Sequence, residues 1–276
     1  MVWPNVAIVQ RDIADLRAAP SGKSELVDQA HYGENLAVLG ESDDWRYVQG
    51  PDQYFGWLPL DDLAMLTGYA ERFVVAILLA DVRGAPRADA EVIARLPAGT
   101  SVPAILAGIE QSDGTYQSIP YDHPEGWRET HLTRWRTGYV ALPDLVDVRE
   151  LPHGYPTADD YLKTAESFIG VPYLWGGTTA LGLDCSGFVQ QVYRLNGVAL
   201  PRDADQQAML GRKVEEARAG DLMFFGADSV THVALATNAT EFIHAPMNGG
   251  VVERGRLGGD RKLLGIRRYL PDVSTA

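Results

Sequence analysis

Along the first half of the chain, apolar and polar residues alternate over short runs, as in Leu36-Ala37-Val38-Leu39 and Trp45-Arg46-Tyr47-Val48. Turn-forming stretches such as Ser42-Asp43-Asp44 and Gly50-Pro51-Asp52 separate the runs. Alternation with frequent turns predicts small antiparallel β-barrels. The pattern also repeats. Ala14-Asp15-Leu16-Arg17-Ala18-Ala19-Pro20 returns 66 positions later as Ala80-Asp81-Val82-Arg83-Gly84-Ala85-Pro86, and Gly33 returns as Gly99. Each copy closes on a related phrase, Gly56-Trp57-Leu58-Pro59-Leu60-Asp61-Asp62-Leu63 and Gly138-Tyr139-Val140-Ala141-Leu142-Pro143-Asp144-Leu145, with 16 extra residues between Gly99 and Gly138 in the second copy. Two related modules are expected, over residues 1–68 and 69–150.

The pattern changes after the Pro/Gly-rich stretch Leu151-Pro152-His153-Gly154-Tyr155-Pro156. Thr157 followed by Asp160 reads as a capping pair. Leu162, Ala165, Phe168 and Ile169 give the next segment one apolar face, and Gly170-Val171-Pro172 ends it. A second helix is predicted after Cys185, where Phe188, Val189, Val192 and Leu195 recur at helical spacing and Asp184 is a suitable N-cap. Strand-like runs follow, Thr231-His232-Val233-Ala234-Leu235-Ala236 and Glu241-Phe242-Ile243-His244-Ala245, with a turn at Asn238 to Thr240. A third domain is therefore expected over residues 155–276.

Composition narrows the possibilities. The 276 residues are 46% hydrophobic and 22% charged, ordinary for a folded globular chain. A net charge of −13 repels phosphate backbones and anionic lipid, which argues against nucleic acid or membrane as partner. The N-terminal stretch has no basic segment followed by a long apolar one. If Met1 is the natural start, a cytoplasmic location is expected. Oligomeric state is left open.

The chain has one cysteine, Cys185, which excludes an intramolecular disulfide and a thiolate metal cluster. No metal or cofactor is expected. A lone cysteine is more often an inert buried residue than a nucleophile, but the first turn of a helix favours a thiolate and offers backbone N–H groups to an oxyanion. A thiol nucleophile needs a proton carrier. Of six histidines, His31, His123, His131 and His153 read as surface or structural. His232 and His244 fall on strands that a hairpin would bring together, one to take the thiol proton and one to orient it.

These residues carry a resemblance. Residues 157–270 resemble the NlpC/P60 cysteine peptidases through Pro172-Tyr173-x-Trp175-Gly176-Gly177, Asp184-Cys185-Ser186-Gly187-Phe188, Leu200-Pro201-Arg202-Asp203, Ala219-Gly220-Asp221-Leu222, Thr231-His232-Val233 and Phe242-Ile243-His244-Ala245. The Asp-[Leu/Val]-Arg and Gly-[Trp/Tyr]-[Leu/Val] phrases of the two modules resemble bacterial SH3 (SH3b) domains. The resemblance implies two small SH3b-like β-barrels followed by an α+β papain-like domain. It also implies that Cys185 is the nucleophile, His232 the base and His244 the orienting member, with Tyr173, Asp184 and Ser186 lining the substrate site. Ala204 stands where relatives often have Ser or Thr.

The combination is similar to peptidases that recycle murein peptides, cutting between γ-D-glutamate and a diamino acid in tripeptides or tetrapeptides with a free N-terminal L-Ala. In such relatives the first module closes the groove with an acidic residue and a tyrosine, for which Glu34 and Tyr54 are the matches; Asp184 could supply charge to the substrate ammonium. Three other readings are kept: an exported wall endopeptidase whose modules bind the wall, an acyltransferase using the same thioester, and a binding protein without activity.

Overall fold

The computed structural model describes residues 5–64, 71–103, 106–110, 116–120, 122–123, 126–133, 136–151, 154–247, 250–258 and 262–271. Met1, the expected boundary at 68/69, and Pro152 and His153 of the linker lie outside them, as do the side chains of His123 and His131. The chain divides into two compact units. One comprises Met1–Ser24, Ala30–Pro51 and Phe55–Pro152; the other comprises Glu25–Gln29, Asp52–Tyr54 and His153–Ala276.

The first unit is built from short strands, as the alternation predicts. These are β1 (Asn5–Val9), β2 (Ile13–Arg17), β3 (Leu26–His31), β4 (Asn35–Ser42), β5 (Trp45–Gln49), β6 (Phe55–Pro59) and β7 (Leu63–Ala64). Antiparallel pairs join β1 with β4 and β7, β4 with β5, β5 with β6, and β6 with β2. Inward positions of the alternation form the interior, with Val9, Ala14, Leu16, Leu36, Val48 and Leu58 buried.

The second repeat continues with β8 (Glu71–Val75), β9 (Leu79–Arg83) and β10 (Val92–Pro97), whose bounds are those of β1, β2 and β3 shifted by 66 positions. Gly33 and Gly99, matched by the same shift, both turn at positive φ, 79° and 76°, where a side chain would be strained. The extra residues of this copy include a backbone hairpin of β12 (Leu106–Glu110) on β13 (Tyr116–Pro120), after β11 (Ser101–Pro103). Then come β14 (Asp122–His123), β15 (Trp127–Thr133), β16 (Arg136–Ala141) and β17 (Leu145–Asp147). Phe73, Val75, Val82, Leu96, Val102 and Val140 form one apolar cluster, which Tyr32 of the first repeat joins.

The second unit opens with α1 (Ala158–Ser167), capped reciprocally by Thr157 and Asp160 as the sequence predicts. The buried row is Tyr161, Ala165 and Phe168, whereas Ile169 is exposed. The helix ends at Ser167, so Ile169 lies past the point where helical spacing holds. A two-strand ribbon, β18 (Thr178–Thr179) and β19 (Gly182–Leu183), leads into α2 (Cys185–Leu195), followed by α3 (Ala204–Ala208). The remaining strands, β20 (Arg212–Val214), β21 (Leu222–Gly226), β22 (Val230–Ala236), β23 (Glu241–His244), β24 (Glu253–Arg256) and β25 (Leu263–Arg268), form a sheet in the order β20-β25-β21-β22-β23-β24. Buried Phe188, Val189 and Val192 put the apolar side of α2 in the interior with Val233 and Leu235 of the sheet. No described helix is long and apolar enough to cross a membrane.

Candidate active site

Cys185 is the first residue of α2, and the side chain of its N-cap, Asp184, accepts from the Gly187 N–H at 2.7 Å. The residue is half-buried, but its sulfur lies against the backbone amides of Val233 and Ser186. Val233 follows His232 on β22, so the nucleophile and the histidine meet where the helix start touches the sheet. His232 Nε2 lies 2.9 Å from His244 Nδ1, with the rings at 86°. The register of β22 on β23, Leu235 opposite Ile243, places His244 opposite Ala234 when extended by one pair. His232 and His244 are thus diagonal neighbours on one face of the sheet. With Nε2 turned to His244, the other ring nitrogen of His232, Nδ1, is left for a different partner, and His232 and Cys185 line the same cavity. Glu253, opposite His244 on β24, reaches its Nε2 at 3.8 Å.

The helix start does not act alone on the thiol. Burial pushes the Cys185 thiol up to about 11, and the charge of Asp184 adds to it; the amides of Val233 and Ser186 and the Arg202 guanidinium pull the other way without prevailing. Loss of water outweighs the helix start because the sulfur is covered, a fact no spacing rule records.

Asp184 holds the loop together. Its Oδ1 accepts from Gly187 N–H, Ser186 Oγ at 3.1 Å and Arg202 Nη1 at 3.0 Å, and its Oδ2 from Gly176 N–H at 2.9 Å and Arg202 Nη2 at 2.6 Å. Arg202, 1% exposed, also gives Nη1 to Ser186 Oγ at 2.9 Å and Nε to Asp28 at 2.9 Å. Asp184 lines the cavity, its charge partly offset by a buried guanidinium that it shares with Asp28. Asp28 belongs to the Glu25–Gln29 segment of the same unit, which also bonds through Glu25 to Trp175 Nε1 at 2.7 Å and through Gln29 to the Thr178 N–H at 3.1 Å.

A cavity of about 990 Å³ opens over the sulfur, lined among others by Cys185, His232, Tyr173, Asp184, Ser186 and Tyr54. Six of the eight expected residues therefore line one cavity, and His244 stands behind His232. Glu34 does not line it. Its carboxylate sits in the first unit, accepting from the His31 N–H at 3.1 Å across the turn after β3. The acidic groups that line the cavity are Glu25, Asp184, Asp203 and Asp205. Tyr54 donates its hydroxyl to Asp203 at 3.0 Å. Burial holds both its phenol and the Asp203 carboxyl above their usual ranges. Tyr173 is raised by burial, then by the neighbouring Cys185 and Asp184. Glu25, Asp28 and Lys262 escaped the sequence reading. The Arg-Asp pair of Leu200-Pro201-Arg202-Asp203 was the one visible hint, since an arginine after an apolar pair calls for a carboxylate. Among the described residues no group of His, Cys, Asp and Glu could hold a metal ion.

A cysteine at a helix start, with a strand histidine that touches a second histidine in the same site, is the arrangement of a thiol-dependent enzyme. Residues 170–260 match the NlpC/P60 family, and residues 16–63 match the bacterial dipeptidyl-peptidase Sh3 domain. The chain is 30% identical over 285 aligned positions to dipeptidyl-peptidase 6 of Lysinibacillus sphaericus, covering 98% of this chain and 96% of that one. It is 28% identical to a gamma-D-glutamyl-L-lysine dipeptidyl-peptidase of Bacillus cereus, over 90% of this chain and 76% of that one. The crystal structure of an NlpC/P60 family protein from Bacillus cereus superposes with a TM-score of 0.78 at 23% identity, over 96% of this chain and all of that one. The chain belongs to the NlpC/P60 family and is a cysteine peptidase, with an SH3-like domain ahead of its catalytic domain.

Proposed function

We propose that this peptidase cleaves the amide between the γ-carboxyl of D-glutamate and a diamino acid in peptidoglycan stem peptides with a free N-terminal L-Ala, releasing L-Ala-γ-D-Glu. The observation that carries the reading is the acidic lining of the cavity around Cys185, which includes Glu25 and Asp203, the latter bonded by Tyr54, where a substrate ammonium needs a partner. The names of the Lysinibacillus and Bacillus relatives support the same bond. Cys185 is the nucleophile, His232 the base and His244 the residue that holds the His232 ring. The thiol passes its proton to His232 Nδ1 as sulfur attacks the amide carbonyl, and the Cys185 N–H faces the oxyanion. The carbon–nitrogen bond breaks, the amine leaves with the proton from His232, and a thioester remains. Water, deprotonated by His232, then releases the carboxylate and restores the thiol.

Glu25, which lines the cavity, is a further group expected to face the ammonium. Incubation with L-Ala-γ-D-Glu-diaminopimelate and its N-acetylated form, read by mass, tests the reading; equal cleavage of both sinks the free-amine requirement. Glu25→Gln should raise KM for the free peptide alone. A free-amine requirement would suit recycling of peptides already released from the wall, which fractionation of the native cells would test. The shared strand bounds at the 66-residue shift support reading the first unit as two SH3b-like barrels, over 1–68 and 69–150, ahead of a catalytic domain from 155.

A further inference from the structure

The cavity is not uniformly acidic. Two cations line it, Arg202 and Lys262. Arg202 is buried between Asp28 and Asp184. Lys262 is exposed, and its ammonium meets a neutral acceptor, the Ala227 carbonyl, at 3.3 Å. Its place in the sheet is fixed from both sides. The Gly226 N–H donates to the Lys262 carbonyl at 3.1 Å, and the next residue, Leu263, pairs with Phe225, which pairs in turn with His232. Lys262 therefore stands two strand spacings from the base, on the order of 10 Å at the backbone. A lysine side chain covers most of that distance. Ala227 of the loop that leads to β22, and Val230 and Thr231 at the start of that strand, line the cavity with it.

His232 hands its proton to the departing amine, so the residue released from the scissile bond must pass beside this loop. In an amino acid the α-carboxylate adjoins that amine, and diaminopimelate carries a second carboxylate at its far end. We propose that Lys262 binds a carboxylate of the released residue, so that the site selects peptides whose leaving amino acid carries one. The inference rests on the γ-D-glutamyl reading above and adds the polarity of the site: carboxylates where the substrate amine enters, a cation where the product amine leaves.

Three peptides test it, L-Ala-γ-D-Glu joined to lysine, to lysine amide, and to diaminopimelate amidated at its α-carboxylate alone. Wild type should cleave at least one carboxylate-bearing peptide with a KM about fivefold below that of lysine amide, the scale of a solvent-exposed ion pair. The peptide that shows the preference identifies the carboxylate that is read. In Lys262→Met that difference should vanish, with the change confined to KM, and Lys262→Arg should keep it. Alkylation of Cys185 at the wild-type rate certifies the fold of each variant. A preference that survives in Lys262→Met, or equal KM values in wild type, overturns the role of the lysine. Failure of wild type to cut any of the three overturns the γ-D-glutamyl reading itself, and this inference with it.

Discussion

Replacing Arg202 with methionine is the sharpest perturbation the structure offers. The guanidinium is 1% exposed, and it donates to Asp28 at 2.9 Å, to Asp184 at 3.0 and 2.6 Å, and to Ser186 at 2.9 Å. Methionine fills most of the volume but strands two carboxylates whose residues are 5% and 7% exposed. Removing one partner from a buried ion pair costs about 3–5 kcal/mol, because the remaining charge has left water without compensation. The range is credible here because Asp184 keeps the Gly176 and Gly187 N–H groups, which soften its loss. Equilibrium urea unfolding, with labelling of the Cys185 thiol reporting the second unit, measures the cost. Combining Asp28→Asn with Arg202→Met should cost about 1–3 kcal/mol less than the sum of the single changes, since the pair acts as a unit. A loss below about 1 kcal/mol, or additive single changes, would refute the clamp.

Other expectations follow from the same geometry. With its thiol held up to about 11, Cys185 in the free enzyme should react with iodoacetamide at a rate that climbs steadily from pH 7 to pH 10; a plateau below pH 9 contradicts the burial argument. His244→Ala should lower kcat about 100-fold with little change in KM, and His244→Asn should recover part of it; a KM effect alone would remove His244 from the proton path. Gly176→Ala should destabilise the second unit by about 2–4 kcal/mol in thermal unfolding, because Gly176 turns at φ 75° and an added Cβ would run into the Leu26 carbonyl. An unchanged midpoint would mean that the loop yields.

Local rules made much of this legible. The capping pair at Thr157, the helix after Asp184 and the two histidine strands each follow from spacing and side-chain chemistry, and each forms as expected. The 66-residue repeat was also readable, down to the glycine turns. Three-dimensional crowding was not. Glu25 carries no motif, yet it bonds to Trp175 and lines the cavity, while the Glu34 carboxylate accepts from the His31 N–H. Lys262 lies in sequence that carries no motif and reaches the cavity through strand register, which only the folded sheet defines. The thiol illustrates the same limit, since helix position could be read from the chain but burial could not.

The elevated thiol explains why the clamp and the histidine pair belong to one design. Asp184 is needed to fix the loop that carries Cys185, yet its charge opposes ionisation of the sulfur beside it. Arg202, which Asp184 shares with Asp28, partly offsets that charge where the carboxylate holds the loop. In the proposed mechanism what remains of the barrier is met by proton transfer to His232 during attack, with His244 2.9 Å from its Nε2. A substrate that fills the cavity and excludes water strengthens each of these interactions at once. Reactivity toward a small alkylating agent and reactivity toward a peptide should therefore respond differently to His244. Losing it leaves direct alkylation at high pH nearly intact, because hydroxide can take the thiol proton there, while peptide cleavage falls, because the departing amine still needs a positioned acid.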